Sequence, residues 1–389
     1  MFEFSTCKAL ICGAGVSGQL PEIASRLRIQ KLLVVTDPGL LQTGLVERVL
    51  STLRVGPVGH LLFSDVSPDP PEQLVLEVAD LARRESIDGV LGLGGGSSMD
   101  VAKLISVLCQ DRQPLSEMYG VGNVTGGRLP LIQIPTTAGT GSEVTSVAVI
   151  TDEKKGVKLP FTSSFLLPNA AIIDPRMTLT LPPHITAATA MDALTHATEA
   201  FTCMAKNPLS DAYATAAVKK VSQSLLSVMD NPKDSDGRLE LAQGSTMAGI
   251  AFSNSMVGLV HSLGHTTGAI CHLPHGLCMS LYLPYALEYN LDTIRAPLGE
   301  LLLYLEGPEV YVATPGHRRA EASIAAIRKL RDQLYKRCQL PRTLKETGKV
   351  LESQLDAIAE LALDDGSIMF NPKEVTLEDA REVLRRAWA

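Results

Sequence analysis

The stretch MDALTHATEA, residues 191–200, sets Asp192 and His196 four apart in a run of Ala, Thr and Leu that otherwise reads as buried helix. Positions i and i+4 of a helix lie one above the other, so this carboxylate and this imidazole reach one common point. Alone, such a pair is most simply an ion pair or a hydrogen-bonded couple. As metal ligands the two residues need further donors. Four of the eight histidines fall in HSLGHTTGAICHLPHG, residues 261–276. His261 and His265 share a helix face, and Pro274 suits the first turn of a following helix, which places His275 near a helix start and folded back toward the same spot. A D-x-x-x-H pair and an H-x-x-x-H pair with a later P-H-G can close a sphere of one carboxylate and three imidazoles. That set keeps coordination positions open, as a catalytic rather than a structural metal requires. His60, His184 and His317 read as ordinary surface or satisfied histidines, and His272 can be read the same way.

Two glycine clusters compete for a dinucleotide. CGAGVSGQ matches G-x-G-x-x-G at Gly13, Gly15 and Gly18, and Asp37 follows at the end of the next β run, where a ribose-binding acid belongs. GLGGGSSMDVAK, residues 92–103, ends another β run and opens a helix at Ser97 or Ser98. Free amides at such a helix start, with no Cβ atoms in the way, cradle a pyrophosphate. A lone G-x-G-x-x-G is a tight turn more often than a ligand site, whereas three glycines followed by two serines and Asp100 ask for more than a turn. The second cluster is therefore favoured for the phosphates. Asp37 remains available to the adenosine ribose, where an acid repels the extra phosphate of NADP and selects NAD. IPTTAGTGSEVTS, residues 134–146, adds hydroxyls after the next β run and reads as a ligand-facing loop.

The elements that must carry these residues alternate in the first half of the chain. KLLVVTD (31–37), GHLLFSD (59–65), GVLGLGGG (89–96), PLIQIPTT (130–137) and AAIIDP (170–175) are apolar on both faces, as strands of a covered parallel sheet are. GLLQTGLVERVLSTL and PEQLVLEVADLARRE between them have helical periodicity, so the expectation is a doubly wound, mostly parallel α/β domain over residues 1–181. After RMTLTLPP the β-branched runs stop and Ala-, Leu- and Ser-rich helical spacing continues to Trp388. Pro182 and Pro183 block a helix upstream and can begin a new one, so an all-α domain is expected over 182–389.

The bulk numbers narrow the partners. A chain of 389 residues exceeds one ordinary core. Its net charge is −7, and no block of basic residues occurs, which argues against nucleic acid and anionic membrane as partners. No run approaches the ~18 apolar residues of a membrane span. Seven scattered cysteines without a C-x-x-C pair read as reduced thiols of a cytoplasmic protein.

GGGSSMDVAK, PTTAGTGSEVT, MDALTHATEA and HSLGHTTGAICHLPHG, in this order and at these separations, resemble the iron-containing (group III) alcohol dehydrogenases. The likeness runs from about residue 5 to the C-terminal NPKEVTLEDAREVLRRA. It implies the dehydroquinate synthase-like fold, in which a Rossmann-like domain is followed by a helical one. It implies that Asp192, His196, His261 and His275 bind one divalent metal, usually iron(II) and in some members zinc, with His265 unligated near the substrate as a proton relay. It assigns Gly95, Gly96, Ser97 and Asp100 to the phosphate loop of NAD, Thr136, Thr137, Thr140 and Thr145 to its phosphate and nicotinamide side, and Lys158 and Asp37 to its ribose end. It also demotes the Gly13 cluster to a turn near the sheet edge.

The activity implied is hydride transfer between nicotinamide and a small primary alcohol or aldehyde, by a homodimer or larger homo-oligomer. A 4-hydroxybutyrate-type hydroxyacid dehydrogenase and a maleylacetate reductase-like enzyme are alternatives within reach of the same motifs. A dehydroquinate synthase-like lyase would need basic residues near the metal for a phosphorylated substrate, and residues 184–204 and 251–279 contain no Lys or Arg. Two departures from the family pattern stand out. Asp69 in VSPDPP replaces a frequent Asn and puts one adenosine-side contact in doubt. Thr266 and Thr267 after His265 imply a more polar pocket and an altered choice of substrate.

Overall fold

A computed structural model describes residues 2–110, 113–152 and 157–389. The chain divides into two compact units, one of Ser5–Leu181 and one of Pro182–Ala389 together with residues 2–4. Phe4 belongs with the second unit because its ring stacks on Tyr213 at 5.8 Å.

In the first unit, strands β1 (Leu10–Cys12), β2 (Lys31–Val35), β3 (Gly59–Phe63), β4 (Gly89–Gly94), β6 (Leu131–Pro135) and β9 (Ala170–Ile173) form one sheet in the order β1-β9-β6-β4-β2-β3. Every pairing in it is parallel. Alternate residues of one strand serve two cores. Leu33 and Val35 pack with Val75, Val78, Val101 and Leu104 on one face, while Leu32 and Val34 pack with Leu20, Leu45 and Val49 on the other. Both faces are thus covered by helices, which is why these strands read as continuous apolar runs. The chain leaves β2 toward β3 on one side and returns to β4 on the other, so the strand order reverses between β2 and β4. Ligands of open α/β sheets gather beyond the carboxyl ends of strands at such a point. Asp37 follows β2 and Gly95 follows β4 at this reversal.

Two local expectations change. GLLQTGLVERVLSTL is not one helix but two, Pro38–Gln42 and Leu45–Arg54. Gly44 breaks it by taking φ 77°, and the Thr43 hydroxyl donates to the Leu40 carbonyl at the break. A second, three-stranded sheet is also present, formed by β5 (Gly120–Val121), β7 (Val147–Asp152) and β8 (Val157–Thr162).

The second unit is helical. Pro183 begins the helix Pro183–Thr202 at its first position, where its missing amide costs no hydrogen bond. Helices Pro208–Asp230, Ser235–Ser253, Leu259–Cys271 and His275–Glu306 follow, then Arg319–Cys338, Leu355–Ala362 and Leu377–Trp388 among shorter segments. Asn207 caps Pro208–Asp230 with a reciprocal capping box to Ser210. Among the described residues, no helix is long and apolar enough to cross a membrane.

Candidate functional site

The helix Pro183–Thr202 is buried over nearly all of its length, so Asp192 and His196 lie inside the helical unit rather than on its surface. Leu259–Cys271 brings His261 beside them. His275 is the first residue of its helix, with Pro274 at the N-cap position just outside. Gly276 permits this approach, because a Cβ there would lie 2.4 Å from the Ala188 carbonyl oxygen. One donor atom from each of Asp192, His196, His261 and His275 lies within 4.8 Å of every other.

The electrostatics suit a cation. Burial pushes the His196 imidazole down to about 3 and also holds His261 well below the ordinary value, so both rings are neutral. Burial alone would raise the Asp192 carboxyl, but His196, His275 and His261 around it hold it below the ordinary carboxylate range. Two nitrogens of the cluster, His196 Nδ1 and His261 Nε2, are buried with no hydrogen-bond partner. Buried polar atoms left unpaired in this way are costly unless something binds them. An anionic carboxylate facing neutral imidazoles with orphaned lone pairs is a donor set that fits a divalent metal.

His265 is brought to the cluster but is not one of the four donors. Its ring stacks on His275 at 5.3 Å and meets His261 edge-on at 5.6 Å. Its Nδ1 lies 2.9 Å from Asp365 Oδ2. Thr266 and Thr267 hold their hydroxyls inside the helical unit, where Thr267 Oγ1 lies 2.6 Å from Tyr282 Oη. Both threonines are buried, and their hydroxyls donate to the carbonyls of Ser262 and Leu263 one turn back on their own helix.

In the first unit, the Gly96–Leu108 helix starts without any side-chain cap, which leaves its first amides for an anion. Gly95 and Gly96 face Thr137 and Thr140, and a Cβ on Gly96 would come within 3.0 Å of Thr140 Cγ2. Gly95, Gly96, Ser97, Thr137 and Thr140 are partly exposed here, whereas Thr136 is buried. The Gly13 cluster differs in one decisive respect. The Asp174 carboxylate accepts from the amides of Gly15, Ser17 and Arg176 and from the Ser17 hydroxyl, so this loop already holds an anion of its own.

Asp37 caps the Pro38 helix, Oδ1 accepting from Leu40 N at 2.9 Å. Asp100 and Thr145 are directed into the protein. Asp100 accepts from Ser142 Oγ and Val149 N, and Thr145 accepts from Lys103 Nζ at 3.0 Å. Both brace the loop rather than line its open face. Lys158 pairs with Asp69, whose backbone is left-handed at φ 53°.

Three residues that spacing did not single out are part of these arrangements: Glu199, 2.5 Å from His261 Nδ1; Asp365; and the fully buried Lys103. Glu199 lies on the inner face of the same helix as Asp192 and His196, which was a usable signal. Nothing local marks Asp365, a hundred residues from its partner.

Residues 7–175 match the family described as iron-containing alcohol dehydrogenase, and residues 186–388 match the C-terminal region of the Fe-containing alcohol dehydrogenase family. The chain is 35% identical to an NAD-dependent methanol dehydrogenase of Bacillus methanolicus, over 95% of this chain and 96% of that one. Among solved structures, an alcohol dehydrogenase from Oenococcus oeni superposes with a TM-score of 0.95 at 31% identity, covering 100% of both chains. A sulfoacetaldehyde reductase from Bifidobacterium kashiwanohense in complex with NAD+ gives a TM-score of 0.88 at 28% identity, covering 100% of this chain and 98% of that one. With both halves matched and the four-donor cluster in the helical half, the chain belongs to the iron-containing alcohol dehydrogenase family.

Proposed function

We propose that this protein is a metal-dependent, NAD(H)-linked dehydrogenase of small primary alcohols and, in reverse, a reductase of the corresponding aldehydes. The observation that carries the reading is the cluster of one ionised carboxylate and three imidazoles, all buried except His275, two of the rings with orphaned nitrogens. Asp192, His196, His261 and His275 would hold one divalent ion, iron(II) or zinc, since the donor set suits both. When bound, the metal supplies Lewis acidity toward the substrate oxygen, and the nicotinamide takes or gives the hydride.

The chain's own residues do the rest. The uncapped amides at Gly96 and Ser97, with Thr137 and Thr140 opposite, bind the pyrophosphate. Asp37 meets the adenosine ribose and favours NAD over NADP. Alcohol oxidation removes a hydride from carbon and a proton from oxygen. His265, oriented by Asp365 at Nδ1, takes that proton at Nε2 and passes it to solvent. The lack of Lys and Arg in 184–204 and 251–279 supports a small uncharged substrate. The methanol dehydrogenase activity of the Bacillus relative points the same way.

A homo-oligomeric, cytoplasmic enzyme completes the reading. Strand β1 is a sheet edge with Leu10 exposed, and none of the seven cysteines is in a disulfide.

The test is an anaerobic assay of metal-quantified protein with NAD and a panel of primary alcohols, diols and hydroxyacids, read as NADH formation before and after chelation. Chelator-sensitive NADH formation is expected. Full activity in metal-stripped protein, or in His261→Ala, would remove the metal from the reaction.

A further inference from the structure

The early amides of the Leu259–Cys271 helix are satisfied by residues distant in sequence. Leu259 N donates to Asn371 Oδ1 at 3.2 Å, and Val260 N donates to Glu199 Oε1 at 2.8 Å. The other oxygen of the same carboxylate, Glu199 Oε2, lies 2.5 Å from His261 Nδ1. Asn371 is itself held by two reciprocal hydrogen bonds with Asn290, at 2.9 and 2.8 Å. Glu199, His261, Asn290 and Asn371 are all buried.

Glu199 rises from the helix that also carries Asp192 and His196. One carboxylate therefore ties the start of the His261 helix to the helix bearing the other two donors, and Asn371 secures the neighbouring amide. A neutral imidazole has one donor and one acceptor nitrogen. With Nδ1–H given to Glu199, the lone pair is left on Nε2, which is the nitrogen without a partner.

We propose that Glu199, backed by Asn371, is a positioning residue of the metal centre: it fixes the tautomer of His261 and the spacing between the donor-bearing helices before any metal arrives. The proposal rests on the reading of Asp192, His196, His261 and His275 as ligands. A carboxylate behind a ligating imidazole both orients the ring and raises its basicity, and loss of such a partner typically lowers metal affinity ~10- to 100-fold. Glutamine keeps the size of Glu199 but offers one acceptor oxygen instead of two. With the amide oxygen kept on Val260 N, its NH2 faces His261 Nδ1, which keeps a partner only by accepting, so the ring proton moves to Nε2, the nitrogen the metal needs.

The experiment titrates metal-free full-length protein with Co(II) and with Zn(II) against a chromophoric chelator. It compares wild type, Glu199→Gln, Asn371→Ala and His261→Ala, with melting of each metal-free protein as the check on folding. We expect one metal per wild-type chain and its loss in His261→Ala. In Glu199→Gln, affinity should be ~10- to 100-fold weaker with an altered Co(II) absorption spectrum, at a melting temperature close to wild type. Asn371→Ala, which touches no ligand, should weaken affinity by a smaller factor. Wild-type affinity and spectrum in both variants would overturn the proposal while leaving the ligand reading intact. Failure of wild type to bind either ion would overturn both. If Glu199→Gln does not fold, unchanged affinity in Asn371→Ala overturns the proposal by itself.

Discussion

Asp365 Oδ2 lies 2.9 Å from Nδ1 of His265, while its other oxygen, Oδ1, accepts from Ser367 N at 2.8 Å. The His265 imidazole holds this carboxyl down to about 2 against the opposing effect of burial, so it is an acceptor at both oxygens. In Asp365→Asn the amide oxygen would stay on Ser367 N and the NH2 would turn to Nδ1, which reverses the His265 tautomer. We expect kcat to fall by about tenfold or more at unchanged metal content. Steady-state kinetics alongside metal analysis tests this, and a wild-type kcat would take His265 out of proton transfer.

Gly276 governs how closely His275 reaches the other donors. A Cβ would meet the Ala188 carbonyl oxygen at 2.4 Å, and Asp192 Cβ lies 3.3 Å away. Gly276→Ala should push the start of the His275 helix outward, costing about 1–3 kcal/mol in stability. The purified variant should hold less than one metal per chain. Denaturant unfolding and metal stoichiometry would be measured together, and normal values of both would show that the two helices can separate freely.

On the proposed function, Asp37 sets cofactor choice by charge. Asp37→Gly also removes the cap of the Pro38 helix, but glycine at a cap position costs only a few tenths of a kcal/mol. The ratio of kcat/KM for NADP to that for NAD should rise roughly tenfold or more, since each ~1.4 kcal/mol of repulsion relieved is a factor of ten. An unchanged ratio would place the 2′-oxygen elsewhere.

Lys103 carries a pH signature in stability. Burial lowers its ammonium from 10.5 to about 8, despite Asp100 and Glu143 nearby. Its folded value lies below its unfolded one, so the buried charge destabilises the fold at pH below about 8. That cost disappears as pH rises from about 8 to 10.5, and in full it amounts to roughly 3 kcal/mol. Relative to Lys103→Met, which has no charge to lose, wild type should therefore gain stability across this window. Urea midpoints of both proteins at pH 7 and pH 10 give the comparison, and a constant difference between them would contradict it.

The legible parts of this molecule are those with strong local periodicity. β2, β4 and β6 are apolar on both faces because helices cover both, and D-x-x-x-H and H-x-x-x-H declare their own spacing on a helix. β1 spans three residues at an edge with Leu10 exposed, and β8 contains Lys158 and Pro160, so neither has the pattern of a buried strand. Glu199 resembles an ordinary helical acid until Val260 and His261 arrive from another helix. Asp365 resembles a turn residue for the same reason. Asp100 and Thr145 sit in the motif expected to meet cofactor, yet their side chains close on Ser142 and Lys103. Motif membership gave their location but not their direction.

The Asp174 carboxylate at the Gly13 turn bears on why the proposed nucleotide site is the Gly95 turn, although both carry a similar fingerprint. The Gly13 turn has the amides to receive a phosphate and is quenched from within by a tethered anion whose local concentration no solute can match. Among the described residues, no side chain caps the helix that the Gly95 turn opens. On the proposed function the two loops thus differ less in shape than in whether a side chain already uses their amides, and Asp174 acts at the Gly13 turn as a covalent antagonist of the second fingerprint.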